Sequence, residues 1–180
     1  MDIKERREFY EKVYFYELDK PEKLYARLRL PLAILIFIIP INFFLISEVI
    51  TSISDGSIIS VVLIISISSL LILLYLLYCI YRMLTGWTYY EVSLKDFDEH
   101  YGRLIEYYKK WSDEDRDKQK AELMARETFE KDLTQQLVEC TNHNQNLNLV
   151  RSAYIIKLIK ILPYYTIFIA LSYVFLLFKT

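Results

Sequence analysis

The segment Ile58–Leu84, IISVVLIISISSLLILLYLLYCIYRML, decides the fold class. Its one ionised side chain, Arg82, stands near its C-terminal end. A helix of roughly 20 such residues covers the ~30 Å hydrocarbon core of a bilayer. Two further runs share this character. Leu30–Ile50 has no charge before Glu48, and Ile161–Phe178 has none at all. The reading is an all-α integral membrane protein with three transmembrane helices, because a helix satisfies its own backbone polar groups in lipid.

The remaining sequence is polar. The chain of 180 residues is 54% hydrophobic and 25% charged, with the two classes segregated along it. The run Asp113–Asp117 is densely charged, whereas Leu30–Ile46 carries no charge. Four regions follow: a cytoplasmic amphipathic N-terminal helix (1–29), a two-span hairpin (30–84), a cytoplasmic helical hairpin (85–160) and a third span (161–178). With three glycines in the chain, few β-turn signals exist, which again argues for helix. The charged N-terminus and the late first apolar run predict no cleavable signal peptide.

Basic residues set the expected orientation. Lys4, Arg6, Arg7, Lys12, Lys20, Lys23, Arg27 and Arg29 precede the first span, and the Ser47–Ser57 turn has none. Arg82, Lys95, Arg151, Lys157 and Lys160 flank the second and third spans, and Lys179 alone follows the third. The positive-inside rule then places the N-terminus and the central region in the cytoplasm, with the short turn and the C-terminus outside. The expected location is the inner membrane.

Local signals divide the polar regions. Residues 3–18 read as an amphipathic helix with a broad aromatic face. Asp19-Lys20-Pro21-Glu22 reads as a fresh helix start, with Asp19 as N-cap and Glu22 completing a capping box. Pro31 and Pro40 fall inside the first span and are hinge candidates, since each removes a backbone donor. Residues 93–111 predict a helix started by Ser93-Leu94-Lys95-Asp96, with Ser112–Asp117 as the break after it. Asp117–Lys160 contains neither proline nor glycine, so it predicts one long helix continuing into the third span.

Two polar patterns are candidate sites. Ser60, Ser66 and Ser69 give the second span a hydroxyl face suited to a neighbouring helix, an oligomer contact or a lumen. In Thr141–Arg151, helical spacing would align Asn144, Asn148 and Arg151 in one stripe, with His143 in the next. Carboxamides both donate and accept, so such a stripe can fix helix register, set oligomer geometry or hold a polar ligand. A solvated face or a loop is the simpler alternative.

Catalytic chemistry finds no motif. His100 and His143 are the two histidines, and neither belongs to a zinc-protease helix or a Cys/His metal pattern. No phosphate-binding glycine loop or nucleophile elbow is present. Cys79 and Cys140 read as free thiols. The net charge of −1 gives no basic field for nucleic acid. No enzyme activity, metal or cofactor is expected.

The layout of Met1–Leu84 resembles the SLATT-type membrane effectors of bacterial conflict systems. The shared features are the charged N-terminal helix, the hairpin Leu30–Leu84 around Ser52–Ser57, and a cytoplasmic helix afterwards. The resemblance implies a homo-oligomer that forms a pore or perturbs the membrane in antiphage defence. Its candidate activator is a soluble sensor or a nucleotide-signal partner. The third span departs from that pattern. The rival expectation is a non-conducting anchor or scaffold whose cytoplasmic helices recruit a soluble partner.

Overall fold

The computed structural model describes residues 3–51, 58–85, 88–110 and 115–177. Among these residues every regular element is an α-helix: α1 (Ile3–Thr51), α2 (Ile58–Leu84), α3 (Leu94–Lys110) and α4 (Asp115–Leu177). Three of the four, α1, α2 and α4, contain stretches long and apolar enough to cross a membrane. A third or less of each such stretch is buried inside the protein, so most of its apolar surface faces outward. Water penalises a surface of that kind, whereas lipid does not.

The predicted bounds of the second span coincide with α2. The long helix expected from Asp117 is α4, which starts at Asp115 and contains the third span through Leu177. Pro163 lies inside it without ending it. In the predicted Ser112–Asp117 break, Ser112–Glu114 lie outside the described residues, as does the Ser52–Ser57 turn, whereas Asp115, Arg116 and Asp117 already belong to α4 and do not break the chain. At the start of α3, the Ser93 carbonyl accepts from Phe97 N at 3.2 Å, and the Ser93 hydroxyl stands 3.4 Å from Asp96 N. Ser93 is thus the N-cap, as its sequence position suggests.

One local expectation fails. Asp19-Lys20-Pro21-Glu22 does not begin a helix, because α1 runs through it from Ile3 to Thr51. Pro31 and Pro40 likewise lie within that one continuous helix.

The chain divides into two compact units. The first comprises residues 1–21 and 88–148, and the second residues 22–87 and 149–180. In the first unit, α3 and α4 pair antiparallel. Partners on α4 fall in number as those on α3 rise: His100–Asp132 at 2.8 Å, Tyr108–Thr128 at 3.0 Å, Lys109–Glu122 at 3.9 Å. Phe129 seals this pairing against Phe97 and Tyr101, with ring centroids 5.8 and 5.0 Å away. The α1 segment joins through Arg7, whose guanidinium donates to both Glu130 oxygens at 2.6 Å.

The second unit holds all three apolar segments around a continuous core. Leu35, Leu76, Leu158 and Tyr165 lie at its centre, each no more than 2% exposed. Leu24, Leu28 and Ile155, which precede the predicted spans, belong to the same core. Here α2 and α4 pair antiparallel as well: Tyr78 and Arg82 meet Tyr154, while Ser69 lies beside Tyr165. Tyr154 also receives Lys157 over its ring, with the ammonium 5.2 Å from the centroid. This end of the pair therefore collects aromatic and basic side chains, as membrane-interface belts do.

Candidate functional site

Residues 88–93, which follow α2 and lead into α3, have no regular secondary structure. Their backbone must find hydrogen-bond partners outside any ladder. Side chains from α1 and α4 supply them. The Asn144 carboxamide donates to the Tyr90 carbonyl at 3.0 Å and accepts from the Tyr90 N–H at 2.9 Å. A carboxamide carries the same donor–acceptor pair as a peptide, so one side chain replaces an adjacent strand at this residue. His143 stacks flat on the Tyr90 ring, with centroids 3.6 Å apart and planes within 7°. Its Nε2 faces the Thr88 carbonyl at 3.0 Å, so that nitrogen carries the proton and donates. The Tyr14 hydroxyl on α1 accepts from Val92 N at 3.1 Å.

Asn148 extends the cluster to α1. Its Nδ2 donates to the Glu17 carbonyl at 2.8 Å and to Glu17 Oε2 at 2.9 Å, and its Oδ1 accepts from the Tyr89 hydroxyl. The Glu17 side chain is 3% exposed and takes a second donor, Lys20 Nζ, at 2.7 Å. The carbonyl bond offsets the donor that α1 loses at Pro21. A helical residue normally donates its N–H to the carbonyl four positions back, and proline has no N–H. The carbonyl left without a helical donor is that of Glu17, the one Asn148 reaches. The α4 amide replaces the missing donor, so the capping preference of Asp19 is overridden by a tertiary contact.

The Asn-rich stretch is accordingly a buried helix face and not a loop. Asn144 and Asn148 are 0% and 2% exposed, Thr141 and Arg151 are buried with them, and Asn142 and Asn146 face outward. The helical stripe expected of Asn144, Asn148 and Arg151 is present. Asn144, Asn148 and His143 bond within their own unit, whereas Arg151 belongs to the second unit. Cys140, one turn before Asn144, is half-buried, and burial pushes its thiol above the ordinary range, with the Glu139 carboxylate adding to the rise.

No family model, curated protein or solved structure matches this chain.

The serine candidates divide. Ser69 is 2% exposed, and its hydroxyl donates to Asn42 Oδ1 on α1 within the second unit. It therefore lies in the interior of the second unit. Ser66 is half-buried, and the side chain of Ser60 lies outside the described residues. Pro31 is buried and Pro40 exposed.

A second feature is an open cleft of about 430 Å³ between α3 and α4 in the first unit. Asp96, His100 and Arg103 face Asp132, Gln136 and Glu139 across it, above Phe97. The His100–Asp132 pair is partly solvated, and no serine, threonine or cysteine is among the lining residues. Among the described residues no group of three or more His, Cys, Asp or Glu is placed to hold a metal ion.

Sequence reasoning missed Glu17, Asn42, Tyr89, Tyr90 and Tyr165. Two signals could have found some of them. Asn42 is the single carboxamide in an otherwise apolar span, and Pro21 inside a helix demands a donor for the residue four before it.

Proposed function

We propose that this protein is a homo-oligomeric, multi-pass protein of the bacterial inner membrane that acts as a pore-forming or membrane-perturbing effector. The observation that carries the reading is the trio of helices apolar enough to cross a bilayer, gathered in one unit with a filled core. Leu35, Leu76, Leu158 and Tyr165 fill the centre of the apolar bundle among the described residues, so ions would pass between subunits. Ser66 is then the better lumen candidate than Ser69. The polar unit senses a soluble partner or nucleotide signal and has no catalytic role of its own. Antiphage defence is the setting suggested by the SLATT-like layout.

The orientation proposed is cytoplasmic for the N-terminus and for residues 85–160, and external for the C-terminus. The lysine and arginine distribution supports it. So does the belt of Tyr78, Arg82, Tyr154 and Lys157, which places aromatic and basic groups where α2 ends and the apolar part of α4 begins.

The second reading is a non-conducting anchor that recruits a soluble partner. Ser69, Asn144 and Asn148 favour it, since their hydrogen bonds are satisfied within the subunit and leave fewer polar groups for a lumen. Purified protein in dye-loaded vesicles separates the two. Leakage, with loss of membrane potential on expression in cells, supports the effector. Intact vesicles and unchanged potential with the soluble partner present refute it and leave the anchor.

A further inference from the structure

Inside the second unit each of the three apolar helices contributes one polar side chain to a common point. Asn42 of α1, Ser69 of α2 and Tyr165 of α4 are 1%, 2% and 1% exposed. The Ser69 hydroxyl donates to Asn42 Oδ1, and the Tyr165 hydroxyl neighbours Ser69. This arrangement does not close. Asn42 Nδ2 and the Tyr165 hydroxyl are both fully enclosed and have no hydrogen-bond partner among the described residues. Turning the Asn42 amide over would put its oxygen where Nδ2 now stands, so one of its two polar atoms faces the interior unpaired in either orientation.

Buried donors of this kind are regularly completed by an internal water that makes two to four hydrogen bonds. We infer that Asn42, Ser69 and Tyr165 form an internal hydration site that holds a water molecule within the apolar bundle of each subunit. The water oxygen accepts from Asn42 Nδ2 and from the Tyr165 hydroxyl. Its own hydrogens find the free lone pairs of Ser69 Oγ and Asn42 Oδ1. An anion fits the donors less well, because the apolar stretches Leu30–Ile46 and Ile161–Phe178 and the part of α2 around Ser69 contain no lysine or arginine to offset a desolvated negative charge. The site is independent of conduction, since an anchor and a pore would both contain it.

Radiolytic labelling tests this directly. The full-length protein in lipid nanodiscs is equilibrated in ¹⁸O-water and pulsed with X-rays, so that hydroxyl radicals form from waters in place. Oxygen uptake at Tyr165 is read by mass spectrometry and compared with Met83. Met83 is equally enclosed at 1% exposure in the same core, and its thioether is intrinsically the more reactive group. Uptake at Tyr165 above that at Met83 is the expected result. Uptake no greater than at Met83 means a dry cluster and overturns the inference. In Asn42→Leu, uptake at Tyr165 should fall to the Met83 level; unchanged uptake would also overturn the site as assigned. The wild-type comparison stands even where that variant fails to fold.

Discussion

If the Asn148 amide stands in for the N–H that Pro21 lacks, the two residues must be energetically coupled. In Asn148→Leu three hydrogen bonds disappear: the two that the amide donates to the Glu17 carbonyl and carboxylate, and the one that it accepts from the Tyr89 hydroxyl. Taking about 1 kcal/mol for each neutral bond and ~2 kcal/mol for the charged one gives a loss of about 4 kcal/mol. For a chain of this length that lowers the Tm by roughly 8–16 °C. Pro21→Ala returns the helical donor to the Glu17 carbonyl. In that background Asn148→Leu no longer leaves the carbonyl unsatisfied, so its cost shrinks by about 1–2 kcal/mol, the penalty of one orphaned buried acceptor. The assay is a double-mutant cycle on detergent-solubilised protein, with unfolding followed by tryptophan fluorescence. Asn142→Ala and Asn146→Ala, on the outward side of the same turns, serve as controls and should lie within about 0.5 kcal/mol of wild type. Additivity of Pro21→Ala and Asn148→Leu to within ~0.5 kcal/mol would refute the reasoning, because residues sharing no partner add to that precision.

Two other perturbations follow from the same cluster. Asn144→Ala removes both bonds to Tyr90 and should cost about 2 kcal/mol, at the lower end for two lost bonds because Tyr90 itself is half exposed and water can reach its backbone. Limited proteolysis should then cut within residues 88–93 faster than in wild type, and an unchanged cleavage rate would show that Asn144 does not hold this segment. Cys140 should alkylate slowly at pH 8 relative to glutathione. Burial and Glu139 both raise its pKa, so the thiolate fraction at that pH is smaller and the rate climbs only at higher pH. Reactivity equal to that of glutathione at pH 8 would contradict the burial.

The parts of the fold legible in the sequence are those set by one helix alone. The bounds of α2 follow from its uninterrupted apolar run, and the length of α4 from the absence of proline and glycine between Asp117 and Lys160. The Asn144, Asn148 and Arg151 stripe follows from helical spacing, since residues three or four apart share a face. The illegible parts depend on what lies opposite. Asp19-Lys20-Pro21-Glu22 carries every local mark of a helix start, and the donor that meets the Glu17 carbonyl when the helix continues stands on α4. The segment 88–93 has no periodicity of its own, so nothing local announces that Tyr90 would meet Asn144. Asn42 was visible as a polar residue in an apolar run, but its partner Ser69 is fixed only once α1 and α2 are packed.

The choice of asparagine in this stripe bears on what the site does. A glutamate or lysine at position 144 could satisfy either the N–H or the carbonyl of Tyr90, never both, and would bring a charge into a fully enclosed position. A carboxamide satisfies both and stays neutral. The same holds at Asn148, which donates to Glu17 and accepts from Tyr89. With His143 donating to Thr88, the polar groups of the stripe that face residues 88–90 are occupied by this chain's own backbone and side chains. A small molecule binding there would have to displace these bonds and replace each of them, and a ligand seldom reproduces so many at once. The stripe is therefore better understood as the fastening of the segment that leaves α2. A partner of the polar unit would meet less resistance at the open cleft beside His100 and Asp132, where the lining charges are still partly in contact with solvent.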